Sequence, residues 1–160
     1  MSYVDSNLMN GEVVMHRAKL HKILFVWPGI VALVAFILGL WILIHPQYKA
    51  MYAGFSFLVG ITFLLSPYVQ YVTSEYAVTN KRVIVKVGMI RRQTLETLLQ
   101  KIEAISVDQS VMGRMLNYGI ITIIGTGGTR ESFMNIADPL GFRRAVQEQT
   151  DALENPQSDK

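Results

Sequence analysis

Apolar and polar residues follow two regimes along this chain. Residues 23–44 carry no charged side chain and are dense in Ile, Leu, Val and Phe, and a second uncharged run covers residues 51–72. As helices rising about 1.5 Å per residue, such runs reach roughly 33 Å, enough for a hydrocarbon core of about 30 Å. Only HPQYK, His45–Lys49, separates them, so the spacing predicts antiparallel neighbours, a transmembrane hairpin. Buried helices of a soluble protein rarely stay uncharged for so long. A signal peptide fits poorly too, because its apolar core is about 7–15 residues and here a second run follows at once.

After Val72 the period changes to two. In EYAVTNKRVIVKVG, Tyr76 and Val78 alternate with polar neighbours, TNK makes a turn, and Val83, Val85 and Val87 face one way with Arg82, Ile84 and Lys86 opposite. Further strands are expected over Met89–Leu95, Lys101–Gln109, Gly119–Ile124 and Arg130–Ile136, with a glycine turn at Gly125–Gly128. Asp138 can cap a closing helix, Pro139 suits its first position, and Phe142, Ala145, Val146 and Gln149 share a face. The expected fold is an α+β membrane protein: a two-helix transmembrane hairpin, then a curved antiparallel sheet or partly open barrel capped by a C-terminal helix. The expected boundaries are 1–22 for an N-terminal segment, 23–72 for the hairpin, 73–151 for the sheet domain and 152–160 for a polar tail.

Charge orients this arrangement. Arg17, Lys19 and Lys22 precede the first run, Lys81, Arg82 and Lys86 follow the second, and the connection holds only Lys49. The positive-inside rule then places both termini in the cytoplasm. Trp41, Tyr48 and Tyr52 at one end, and Trp27, Tyr68 and Tyr71 at the other, suit headgroup belts. Ala35 with Gly39, and Ser56 with Gly60, form small-xxx-small pairs equidistant from the connection, and they are expected to face each other. Composition alone would also produce such pairs. Neither run has an ionisable residue in its interior, which argues against a self-sufficient transporter.

The chemistry of the remaining residues is sparse. There is no cysteine, so disulfides and thiolate metal sites are excluded. His16, His21 and His45 fit no metal pattern, and an interfacial role is expected for them. The GTGGT turn, Gly125–Thr129, lacks the lysine and the strand–loop–helix context of a phosphate loop. Asp108 and Ser110 have no histidine or lysine base in a recognisable order. No catalytic, cofactor or metal site is expected, and a net charge of +3 is too weak to imply nucleic acid.

YAVTNKRVIVKVGMI, QKIEAISVDQSVMGRMLNYGIITI, GTGG and DPLGFRRAVQ together resemble the bacterial pleckstrin-homology-like (PH-like) domain of the membrane-anchored type, over about Tyr76–Gln147. The middle segment is the most specific. The resemblance implies a seven-stranded curved sheet closed by the C-terminal helix. The residues themselves read as six strands, so a seventh is expected between Leu95 and Gln100 or near Arg114. Members of that family commonly carry one or two membrane helices beside the domain and mostly have no assigned activity; with the two apolar runs, a multi-pass protein of the bacterial inner membrane is expected.

Three functions compete. The leading expectation is a membrane-tethered, non-enzymatic interaction module docking a protein partner or itself through strand edges. The second is a sensor of anionic lipid through Lys81, Arg82, Lys86, Arg91 and Arg92, each worth about 1 kcal/mol if they share a face. An ordinary solvated face would carry the same residues, and Glu75, Glu96 and Glu103 dilute the patch. The third is an accessory subunit of a transporter or envelope complex, contacted through the hairpin. Arg143 and Arg144 on the last helix are contact candidates for any of these.

Overall fold

Two neighbouring strands of the first sheet are separated in sequence by both apolar helices. The computed structural model describes residues 3–45, 47–48, 50–88 and 93–154. It divides into two units, one made of the residues up to His21 and from Thr73 onward, the other of Lys22–Val72.

The first unit is an α+β fold with two antiparallel sheets. Helix α1 (Tyr3–Ser6) and strand β1 (Val14–Ala18) come first. After the apolar helices follow β2 (Glu75–Thr79), β3 (Arg82–Val87) and β4 (Gln93–Leu98), which complete a sheet of order β1-β2-β3-β4. A 3-10 turn (Leu99–Lys101) leads to β5 (Ile102–Asp108), a short helix α4 (Val111–Leu116), β6 (Tyr118–Gly125) and β7 (Arg130–Ala137), which form the second sheet. Helix α5 (Pro139–Glu154) packs against both sheets, touching β1, β2, β5 and β6. An isolated bridge, Leu20 to Ile136, with hydrogen bonds from the His21 amide to Asn135 and from the Ala137 amide to Lys19, joins the β1 side of one sheet to the β7 side of the other.

The core follows from strand alternation. Tyr76 and Val78 on β2 pair with Val85 and Val83 on β3 and are buried, as are Ile121, Ile123 and Ile136 of the second sheet and Phe142 and Val146 of α5. Tyr76 meets Phe133 edge-on at 5.9 Å. Burial pushes its phenol up to about 12, a Ser74 hydrogen bond pulling the other way, so it stays a neutral packing group. The opposite face of the first sheet is covered as well. There Ala77 and Ile84 form a second cluster with Val4 of α1, flanked by Tyr3, Leu8 and Val14.

The structure corrects two expectations. Residues 3–21 belong to the sheet domain instead of standing apart from it. The seventh strand is β1, whereas β4 and the 3-10 turn occupy residues 95–100 and α4 occupies the region of Arg114. Ala18 and Leu20 are buried beside Met15, Arg17 and Lys19 outside, but so short an alternation announces itself only once β2 is beside it. Of the expected third strand, residues 89–92 lie outside the described residues; the pairing with β3 begins at Gln93.

The second unit holds two helices long and apolar enough to cross a membrane, Lys22–Ile44, which opens with a 3-10 turn before α2 (Val26–Ile44), and α3 (Ala50–Thr73). Large apolar side chains such as Leu33, Ile37, Phe55 and Leu58 point outward, while Ala32, Gly39, Ala53, Ser56 and Gly60 are buried. Ser56 Oγ donates to the Ala35 carbonyl at 2.6 Å, and a Cβ on Gly60 would sit 3.3 Å from the Ala32 carbonyl oxygen and 3.5 Å from Ala35 Cβ. Gly39 faces Phe57 instead, whose ring a Cβ would meet at 2.5 Å. Trp41 meets the His45 and Tyr48 rings at 4.4 and 5.5 Å, tilted by 34° and 42°, at the connection, of which Pro46 and Lys49 lie outside the described residues.

The two glycines should therefore differ. Gly60→Leu drives a side chain into backbone and should cost about 1–3 kcal/mol. Gly39→Leu should cost less, because the Phe57 ring can turn away. Thermal unfolding of the full chain in detergent checks this; equal effects, or none at Gly60, would contradict it.

Candidate interaction surface

The outer face of the first sheet is organised around Arg82. Its side chain is 7% exposed. Nε and Nη2 donate to the two Glu12 carboxylate oxygens at 2.9 and 3.0 Å, a bidentate geometry that lysine could not reproduce. Nη1 donates to Glu96 Oε2 at 2.5 Å and Nη2 also to the Asn7 carbonyl at 2.7 Å. Glu12 further accepts from Thr79 Oγ1 at 2.8 Å and from the Met9 amide at 2.7 Å. Burial raises the Glu12 carboxyl, but the Arg82, Met9 and Thr79 donors together with the Arg82 charge overcome it and hold the group below its ordinary value. Hydrogen bonding to Glu12 raises the Arg82 guanidinium, against burial.

This pair straps the segment before β1 across the sheet. Glu75 on β2 accepts from the Tyr3 and Val4 amides at 3.0 and 3.2 Å, satisfying the open N-terminus of α1. Asp5 pairs with Arg17, and Asn80 holds the Val13 amide and the Gly11 carbonyl.

The basic residues singled out from the sequence therefore have different surroundings. Arg82 is buried in the ion pair and leaves no guanidinium for a headgroup. Lys86 is 14% exposed, 3.8 Å from Glu75 and over the Tyr3 ring at 5.2 Å. Lys81 is exposed, with Nζ on the Asn10 carbonyl at 2.8 Å. Arg143 is half-buried and Arg144 exposed on α5; Arg91 and Arg92 lie outside the described residues. Glu12 was not legible as a partner, because its pairing with Arg82 depends on the fold bringing residues 12 and 82 together. Two histidines also fall inside the domain: His16 meets the Phe142 ring edge at 6.3 Å, and His21 stacks on Tyr118 at 5.2 Å.

The DQSVMGRMLNYG segment has structural work to explain it. Ser110 caps α4 by accepting from the Gly113 amide at 3.0 Å. Gln109 Nε2 donates to the Tyr118 carbonyl at 3.0 Å. Asn117 ends the helix in the left-handed region at φ 56°. A Cβ on Gly113 would lie 2.6 Å from the Tyr118 carbonyl oxygen, and one on Gly119 2.7 Å from that of Asp108. A recess of about 230 Å³ beside this turn is lined by Asp108, Ser110, Tyr118, Gly119, Ile120, Met134 and Asn135.

Removing Glu12 should unfasten the strap. Glu12→Ala strands a buried guanidinium and should cost about 3 kcal/mol, the low end for a broken buried pair because Glu96 still reaches it. The folded value of Glu12 lies below the ordinary 4.5, so its contribution is full above 4.5 and disappears as pH falls through the lowered value. The stability gap between wild type and Glu12→Gln should thus hold constant from neutral pH to about pH 5 and shrink below it. Denaturant unfolding of the full chain across pH checks this; a gap that grows on acidification would contradict the sign.

No curated protein matches the chain. A solved structure similar to it is a DUF1696-family protein with a pleckstrin-homology domain from Shewanella loihica PV-4, at 11% identity and a TM-score of 0.41, covering 50% of this chain and 73% of that one. The family model described as bacterial PH domain matches residues 18–150, from the end of β1 through both apolar helices and into α5. The chain therefore belongs to the bacterial PH domain family.

Proposed function

We propose that this chain is a membrane-tethered, non-enzymatic PH-like interaction module that docks a protein partner or a second copy of itself at the inner face of the bacterial plasma membrane. The observation that carries the reading is the β1–β2 ladder, in which Ala18 pairs with Tyr76 and Arg17 with Ala77 across an insertion of two apolar helices. Paired strands lie on one side of a membrane. Helices inserted between them cross as a pair, and positive-inside bias sets that side as the cytoplasm. The outward apolar surface of α2 and α3 supports a lipid surrounding.

Docking draws on the strand edges. Among the described residues β4 pairs only with β3 and β5 only with β6, so each offers a backbone edge to an added strand. Sensing of lipid through the outer sheet face finds less support, since Arg82, Lys86 and Lys81 are all engaged with residues of that face or of the strap.

Native mass spectrometry of the intact protein, extracted gently from its own membrane, tests the reading. A stoichiometric protein complex is expected, and Ala104→Lys with Ser106→Lys on the exposed side of β5 should disperse it. A single chain carrying only anionic lipid would overturn the docking reading in favour of lipid sensing.

A further inference from the structure

The end of the domain from which the chain departs for its apolar helices carries an exposed apolar cluster. Beyond β1 the chain continues to Leu20, bridged to Ile136, and the His21 amide donates to the Asn135 carbonyl at 2.6 Å. His21 stacks on Tyr118, and Lys22 opens the first apolar helix. The return connection enters β2 beside Ala18, at the same end. That end also holds the start of β6 and the end of β7, paired through Tyr118 and Ala137, and the end of β5, where Asp108 pairs with Ile120. Helix α4 lies here, between β5 and β6. Its Ser110 cap is held by Gly113, and its far end is tied through Asn117 to Asp138.

Capping and glycine contacts use the polar and small residues of α4, and its apolar ones are left outside. Val111 is 65% exposed, Met112 55%, Met115 75% and Leu116 43%; Met134, which lines the same recess as Ser110, is 64% exposed. Four large apolar side chains among six helical residues, all in water, would be a liability on a freely soluble domain. Here they share an end with both connections to the apolar helices. Arg114 lies within the helix, and Lys19 and Lys22 flank the departing chain, as anionic headgroups would favour.

We propose that α4, with Met134, seats in the headgroup–acyl boundary of the bilayer that α2 and α3 cross. The occupant is lipid, because the chain itself holds this end beside the membrane entry point. The cluster is too small to recruit a free protein to a membrane. Tethering by two spans makes insertion effectively intramolecular, so a few side chains suffice. Flexible, unbranched methionine suits a fluid neighbour better than a fixed one. The inference rests on the membrane-tethered reading.

The cysteine-free chain makes the test direct. Single cysteines replace Met112, Met115, Leu33 in the middle of α2, and Thr126 in the turn at the far end of the β6–β7 hairpin. Each full-length variant carries a polarity-sensitive fluorophore in vesicles containing anionic lipid and nitroxide-labelled acyl chains. Labels at 112 and 115 should emit to the blue of that at 126 and be quenched severalfold more by nitroxide, with Leu33→Cys quenched most. If 33 is quenched while 112 and 115 match 126 and respond to aqueous iodide, the insertion fails and the tether stands. If 112 and 115 escape both quenchers, a protein covers α4 and the proposal is wrong. If 33 itself escapes nitroxide, the tethered reading fails and the insertion with it.

Discussion

The antiparallel ladder between β1 and β2 constrains everything else in this protein. Two adjacent strands exchange backbone hydrogen bonds although both apolar helices lie between them in the chain. Hydrogen-bonded strands must share a compartment. The ends of the insertion are thereby pinned together. The sheet domain in turn has both of its connections to the apolar helices at one end.

The strap before β1 extends the same logic. A sheet with apolar residues on both faces of β2 and β3 needs two covers. The second sheet and α5 supply one; Val4, with Tyr3 and Leu8 around it, supplies the other. A few residues bury too little surface to hold themselves in place, and the Glu12–Arg82 pair adds direction to that contact. Neutral replacements of similar shape could be as stable, since buried pairs repay their desolvation poorly. What the pair adds is register: the bidentate fork accepts one placement of residue 12 against residue 82. With that face closed, the described residues still expose the edges of β4 and β5 and the apolar side chains of α4.

How much of this the sequence displays depends on the range of the interaction that makes it. The apolar helices were legible because their signal is local and long. Six strands and α5 were legible because alternation and capping are local too, and the GRML region was recognisable as a motif before its place in the short helix α4 was visible. Strand β1 was not, because five residues with little apolar content become a strand only through partners beyond the insertion. Arg82 read as a surface charge because its alternation placed it opposite Val83 and Val85; the strap that buries it comes from the other end of the sequence. Spacing picked out Ala35, Gly39, Ser56 and Gly60; Ser56 and Gly60 lie against Ala35, Gly39 lies against the Phe57 ring, and the buried Ala32 and Ala53 fall outside the two pairs.

Compartment is the property on which the account stands, and side-specific labelling in intact cells measures it. Single cysteines at Asn10, Gln47 and Thr126 are all at exposed positions, in the strap, the helix connection and the β6–β7 turn. An impermeant maleimide added from outside should label only the Gln47→Cys protein, with Asn10→Cys and Thr126→Cys labelled after permeabilisation. Labelling of Asn10 and Thr126 from opposite sides, or of all three alike, would contradict a sheet domain tethered at the inner face by a pair of spans.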